Sequence, residues 1–132
     1  MYQVNDQITD SVTIGRKYDG GKPMYGLLPP LALKSVVEVL TFGAHKYEID
    51  NWKYVDDSIR RYFDAAQRHL WAWKEGESLD QESNMHHLSH AICCLMFLYE
   101  HDVKYHKLQA SIVTGQTTFA GGNKGTKGSN QT

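Results

Sequence analysis

Cysteine is scarce in this chain. It occurs twice, as the adjacent pair Cys93-Cys94. Neighbours on a helix point in different directions, so this pair cannot staple a fold. Both read as small buried hydrophobes with free thiols, which suits a reducing compartment. The N-terminal MYQVNDQITD has no basic stretch leading into an apolar one, so no signal peptide is expected. Long hydrophobic runs are missing as well. The longest, around Ala91 to Tyr99, is far too short to span a bilayer. Basic excess is absent: the formal net charge is -1, which argues against a nucleic-acid polymer as partner. Strand-like alternation and internal repeats are also wanting. What remains is a cytoplasmic protein with no membrane partner. Its 132 residues fill one domain and hardly two, with 41% hydrophobic content for a single core.

Glycine and proline punctuate residues 1–30, which read as irregular. From Thr114 to Thr132 the composition turns to Gly, Thr, Asn, Gln and Lys, the make-up of a flexible tail. The domain is therefore expected over 1–113 and the tail over 114–132. Three amphipathic stretches lie between. The first follows Pro29-Pro30, a suitable first turn, with Leu33, Val36, Val37, Leu40, Ala44 and Tyr47 on one stripe, and predicts a helix over 30–48. The second, with Asp57 or Ser58 as N-cap and Gly76 as stop, carries Ile59, Tyr62, Phe63, Ala66, Leu70 and Trp73, and predicts a helix over 57–75. The third starts near Ser83 or Asn84, carries Leu88, Ala91, Ile92, Leu95, Leu98 and Tyr99, and predicts a helix over 84–105. Three such helices imply an all-α antiparallel bundle. Trp71, Met96 and Phe97 fall off the stripes as spare apolar residues, so a homo-oligomer, dimer or tetramer, is expected.

Chemistry concentrates in Asp80-Gln81-Glu82-Ser83-Asn84-Met85-His86-His87-Leu88-Ser89-His90. On a helix His87 and His90 stand one turn apart, as do His86 and His90. Imidazoles so spaced can share a divalent ion, with oxygen ligands from Asp80 or Glu82. His69 on the second helix can face them across an antiparallel pair. The plainer reading leaves His86 exposed and His87 and His90 hydrogen-bonded in the core. His45, His101 and His106 are isolated and read as ordinary surface or satisfied histidines.

Two further clusters suit an anionic, base-bearing ligand. Lys17-Tyr18-Asp19-Gly20-Gly21-Lys22-Pro23 sets two lysines around a turn that can present ammonium and amide donors to phosphate, or be a solvated turn. Its spacing is not that of a P-loop. Gly43-Ala44-His45-Lys46-Tyr47, running into Asn51-Trp52, offers an aromatic and an amide for a base and Lys46 for phosphate. Equally, Trp52 can plug the core. Arg61 and Arg68 are other phosphate candidates, although Asp64 and Arg68 can pair on the surface.

Taken in order, the lysine turn, Leu27-Leu28-Pro29-Pro30, Phe42 to Tyr47, Asn51-Trp52, Arg68-His69-Leu70, Gly76-Glu77, Asp80 to Ser83 and His87-Leu88-Ser89-His90-Ala91 resemble the phage dATP/dGTP diphosphohydrolases. These are MazG-like all-α NTP pyrophosphohydrolases, also called MazZ, of phages that replace adenine with 2-aminoadenine. The resemblance spans residues 15–101. It implies cleavage of dGTP or dATP to the monophosphate and pyrophosphate, with dGMP feeding synthesis of the 2-aminoadenine nucleotide. It also implies Mg2+, Mn2+ or another divalent ion. MazG-like proteins hold magnesium with Glu-x-x-Glu on one helix and Glu-x-x-Asp on the next. Here His87-x-x-His90 stands at the second position, and only Asp64 and His69 lie near the first. Where the family has Ser-Gly, this chain has Ser83-Asn84. The site expected on this basis has Glu77, Asp80 and His69 as catalytic groups and His69, Asp80, His87 and His90 around the metal. Lys17, Asp19, Lys22, Lys46, Tyr47, Asn51, Trp52, Arg61 and Arg68 would bind substrate. Two other readings stand beside it. An HD-type phosphohydrolase would use His101-Asp102, but no aspartate follows Asp102 to complete its set. A non-catalytic nucleotide- or metal-binding module would bind without turnover.

Overall fold

The computed structural model describes residues 14–115. Among them lie three α-helices, two short 3-10 turns and no strand, only an isolated antiparallel bridge between Leu79 and His86. The all-α expectation is met. The N-terminal stretch is exposed and irregular apart from a 3-10 turn at Tyr25–Leu27. Helix α1 runs Pro30–Lys46, α2 runs Ser58–Lys74 and α3 runs His87–Val113. The expected tail beyond Gly115 and the first 13 residues lie outside the described residues. No helix among the described residues is long and apolar enough to cross a membrane.

Each helix begins and ends for a local reason. Pro30 opens α1, where its missing N–H costs nothing, and Leu33 N–H closes onto the Pro29 carbonyl at 3.0 Å. Helix α2 ends in a Schellman turn. Gly76 N–H reaches the Trp73 carbonyl and Glu77 N–H the Ala72 carbonyl, both at 3.0 Å. Gly76 has φ 105°, a conformation that a side chain would strain. Asp57 stands at the N-cap position of α2 as expected, whereas the expected start of α3 needs correction. Asp57 is left-handed and makes no capping bond; its carboxylate takes Arg60 Nε at 2.5 Å instead. Helix α3 starts at His87, not at Ser83 or Asn84, because residues 78–87 fold into a closed loop. Asp80 N–H bonds the Met85 carbonyl at 2.8 Å and His87 N–H the Ser78 carbonyl at 2.9 Å. His86 then caps the helix, its Nδ1 accepting from Leu88 N–H at 3.1 Å. At its other end α3 continues to Val113, eight residues past the expected stop.

Helix α3 is the element against which both others pack. His69 of α2 meets His87 of α3, while Tyr62, two turns earlier, meets Phe97, so α2 and α3 are antiparallel. Ala66 and Ala91, each 1% exposed, lie level with one another in that register and let the backbones approach. Helix α1 also runs against α3. Lys46 at its end pairs with Glu82 ahead of α3, and the Val36 carbonyl accepts from Cys93 Sγ at 3.5 Å. Val36, Val39 and Cys93 form the core, with Leu40, Met85 and Phe97 against it. Ser35 and Ser89 bridge the same helices, hydroxyl to hydroxyl, at 2.5 Å. The expected stripe on α3 is therefore displaced. His87, Ser89, Ala91, Cys93 and Cys94 are buried, while Ile92, Leu95 and Tyr99 face outward. Phe97 is not spare, because it stacks on Trp52 at 4.8 Å. Burial raises the thiols of Cys93 and Cys94, to about 12 and about 11, which makes them unreactive as expected.

Candidate metal and substrate site

Three elements supply the donor cluster: the last turns of α2, the loop over 78–86, and the first turn of α3. Ligand atoms of His69, Asp80 and His87 lie within 4.8 Å of one another. His69 Nδ1 is 2.8 Å from His87 Nδ1, so one ring must offer a lone pair to the other's N–H. His87 is 5% exposed, and its Nε2 has no hydrogen-bond partner among the described residues. Glu77 Oε1 lies 3.5 Å from that nitrogen, outside hydrogen-bonding geometry.

Ser83 orders the other half. Asp80 Oδ2 accepts from Ser83 N–H and from Ser83 Oγ–H, each at 2.9 Å. With its proton committed to Asp80, the hydroxyl accepts from His90 Nε2–H at 2.7 Å and from Met85 N–H at 3.2 Å. His90 is thereby held as the Nε2–H tautomer. Its ring stacks on His69 with centroids 4.6 Å apart and planes 9° from parallel. His90 thus adjoins the three converging donors without being one of them.

Burial and mutual repulsion disfavour protonation of His69 and His90. His69 is pushed down to about 4, first by desolvation and then by His90 and His87. His90 is also lowered, by burial against the opposing pull of Asp80. Burial alone would raise the Asp80 carboxyl, but the Ser83 donors, with His90 and His69, bring it below its ordinary value. The cluster therefore presents an anionic Asp80 carboxylate, a neutral His69 ring and the His87 imidazole, a donor set compatible with a divalent ion.

The candidate substrate groups scatter. Lys46 is brought to the loop, where Glu82 accepts from its ammonium and raises its proton affinity, and it sits 5.2 Å from the Tyr47 ring centroid. Arg68 follows the chain into His69, and its charge bears on that imidazole. Arg61 lies at the far end of α2, with Nη1 3.4 Å from the Asp56 carbonyl. Asp64 pairs with Arg60 at 3.5 Å rather than with Arg68. Lys17, Asp19 and Lys22 occupy an exposed turn closed by Lys22 N–H on the Asp19 carbonyl at 3.1 Å. Asn51 opens the 3-10 turn Asn51–Tyr54. Trp52 is half-buried, stacked on Phe97 and edge-on to His101, and its carbonyl lies 3.0 Å from His101 Nε2. His101 is thus a satisfied structural histidine, whereas His45 is exposed and His106 pairs with Asp102 at 3.3 Å. Sequence reasoning missed Ser83 as the hub and His86 as the cap. The run of short polar residues between Asp80 and His87 was the available signal.

A family model described as dATP/dGTP diphosphohydrolase, N-terminal, matches residues 13–111. A dATP/dGTP diphosphohydrolase of Salmonella phage PMBT28 is 35% identical over 85 residues, covering 64% of this chain and 29% of that protein. The chain thus spans less than a third of that relative's length. No solved structure matches.

Proposed function

Because this chain belongs to the dATP/dGTP diphosphohydrolase N-terminal family, we propose that it hydrolyses purine deoxynucleoside triphosphates to the monophosphate and pyrophosphate with the help of a divalent ion. The observation that carries the reading is the convergence of His69, Asp80 and His87 within the span matched by the family. When bound, the ion would neutralise phosphate charge and acidify a water.

The chain's own residues do the rest. Asp80, held ionised by Ser83, and ring nitrogens of His69 and His87 would hold the ion. Attack at the α-phosphorus requires a base for the water's proton. Glu77 at the rim is the group available, since a His69 that holds the ion through Nδ1 carries its proton on Nε2. Lys46 and Arg68 would meet the phosphates. For Lys46 this means exchanging Glu82 for a more highly charged partner. Lys17 and Lys22 would close over the tail from the N-terminal segment. Tyr47 and Asn51 would approach the base. The dGMP produced would feed synthesis of a 2-aminoadenine nucleotide in phage-infected cytoplasm.

The products decide the reading. Ion-exchange chromatography of a dGTP digest should give dGMP and pyrophosphate in one step, only with a divalent ion, and faster for purine than for pyrimidine deoxynucleotides. Deoxyguanosine with triphosphate, or a dGDP intermediate, would overturn it. The HD-type alternative is disfavoured by His101, whose Nε2 is taken up by the Trp52 carbonyl. Binding of dGTP and metal without pyrophosphate would identify a non-catalytic module.

A further inference from the structure

We propose that the ion held by His69, Asp80 and His87 is a nitrogen-preferring transition ion of the zinc, cobalt(II) or iron(II) class rather than magnesium, and that Glu77 orients His87 toward it. The inference deepens the metal reading above and rests on it for the existence of a bound ion.

The donor set argues for the class of ion. Magnesium binds oxygen in near-ideal octahedra and retains much of its water, whereas imidazole nitrogen favours zinc and the later transition ions. Two of the three converging groups here are imidazoles. Their mutual spread of 4.8 Å leaves only small side-chain rotations before all three reach one ion at about 2 Å. Three protein ligands with open positions is the pattern of a catalytic ion rather than a structural one.

His87 supplies an independent observation. It is 5% exposed, yet one ring nitrogen has no hydrogen-bond partner and the other faces a second imidazole nitrogen at 2.8 Å. A buried imidazole left this way is costly. An ion on the two facing Nδ1 lone pairs would take the place of the hydrogen bond between the rings. It would also fix the His87 proton on Nε2, so that the unpartnered nitrogen becomes a donor aimed at Glu77 Oε1, which has to close in from 3.5 Å to accept it. A carboxylate behind a ligating histidine is the usual arrangement for setting ring orientation and basicity. His90 is excluded from the ligand ring, since Ser83 holds its Nε2–H and its ring lies flat on His69. It buttresses His69.

Chelator-stripped protein titrated with Co2+ tests the proposal. Visible d–d bands of nitrogen coordination should develop, Zn2+ should bleach them, and a large excess of Mg2+ should not. His69→Ala and His87→Ala should lose the bands while the helical circular dichroism persists, and His90→Ala should keep them. Glu77→Gln should weaken Co2+ affinity about 10- to 100-fold without abolishing the bands. Bands that survive both His69→Ala and His87→Ala would overturn the proposal. So would Mg2+ binding as tightly as Zn2+ by calorimetry. Should a variant lose its helical signal, the intact chain still decides, because equal thermal stabilisation by Mg2+ and Zn2+ overturns the idea. The two readings fail separately. Bands without pyrophosphate release would leave the ion assignment and remove the hydrolase. Pyrophosphate release with Mg2+ alone and no Co2+ bands would do the reverse.

Discussion

A neutral imidazole pressed between two others ties this protein's stability to pH. His69 has a folded pKa of about 4 against its usual 6.5, chiefly because it is partly desolvated and lies beside His90 and His87. The unfolded chain therefore binds a proton that the folded chain refuses. The contribution is present in full above pH 6.5 and is lost as the pH falls through about 4. His90, also lowered, acts in the same direction. In metal-free protein the thermal midpoint should decline across that window, and His69→Gln should make the decline shallower. A midpoint that holds constant from pH 6.5 to 4 would show that the imidazole is not held neutral. The contributing residues were partly visible beforehand. His69, Asp80 and His87 could be grouped from helical spacing and antiparallel packing. Ser83 could not, because a serine in a polar loop has no periodicity to betray its partners.

The decisive element is the loop between α2 and α3. Its entry is set by the Schellman turn at Gly76 and its exit by Asn84, which has φ 58° and bonds back to the Asp80 carbonyl at 2.8 Å. Asparagine tolerates this left-handed conformation better than other side chains. That explains how Asn84 holds this turn without a glycine. Asn84→Gly should accordingly leave stability within a few tenths of a kcal/mol, while Asn84→Ala should cost about 1 kcal/mol in urea denaturation. A neutral Asn84→Ala would mean that the loop relaxes elsewhere. This loop also moved the start of α3 from the expected Ser83 or Asn84 to His87. Capping residues near a helical pattern suggest several starts, and the pairing of Ser78 with His87 chooses among them.

As a whole, the described chain buries few large side chains. Its buried apolar residues are Val36, Val39, Ala66, Ala91, Cys93 and Cys94, whereas Phe63, Trp71, Leu95 and Met96 are each 47% exposed or more. A groove of about 460 Å³ between Leu40, Trp52 and the outer face of α3 collects Ile92, Leu95, Met96 and Tyr99. We propose that a second copy covers this apolar surface, giving the dimer or tetramer expected from the sequence. Sedimentation should then report a mass above that of one chain. Leu95→Glu with Met96→Glu should shift it toward monomer without loss of helical signal. A monomeric wild type at micromolar concentration would refute the expectation.

The sequence alone determined that the chain is helical, that α1 opens at Pro30 and α2 stops at Gly76, and that the histidines and carboxylates of the candidate donor cluster lie between residues 69 and 90. Those properties are local. They depend on apolar period, on proline and glycine backbone limits and on side-chain type, all of which are legible within a few residues. Only the tertiary structure decided which face of α3 is buried, that Trp52 stacks on Phe97, and that Lys46 reaches Glu82. It also laid His90 flat on His69 rather than among the converging donor atoms. Each of these depends on contacts between residues far apart in the chain. A helical stripe of apolar residues specifies that some face is buried, and only the elements packed against it select the face.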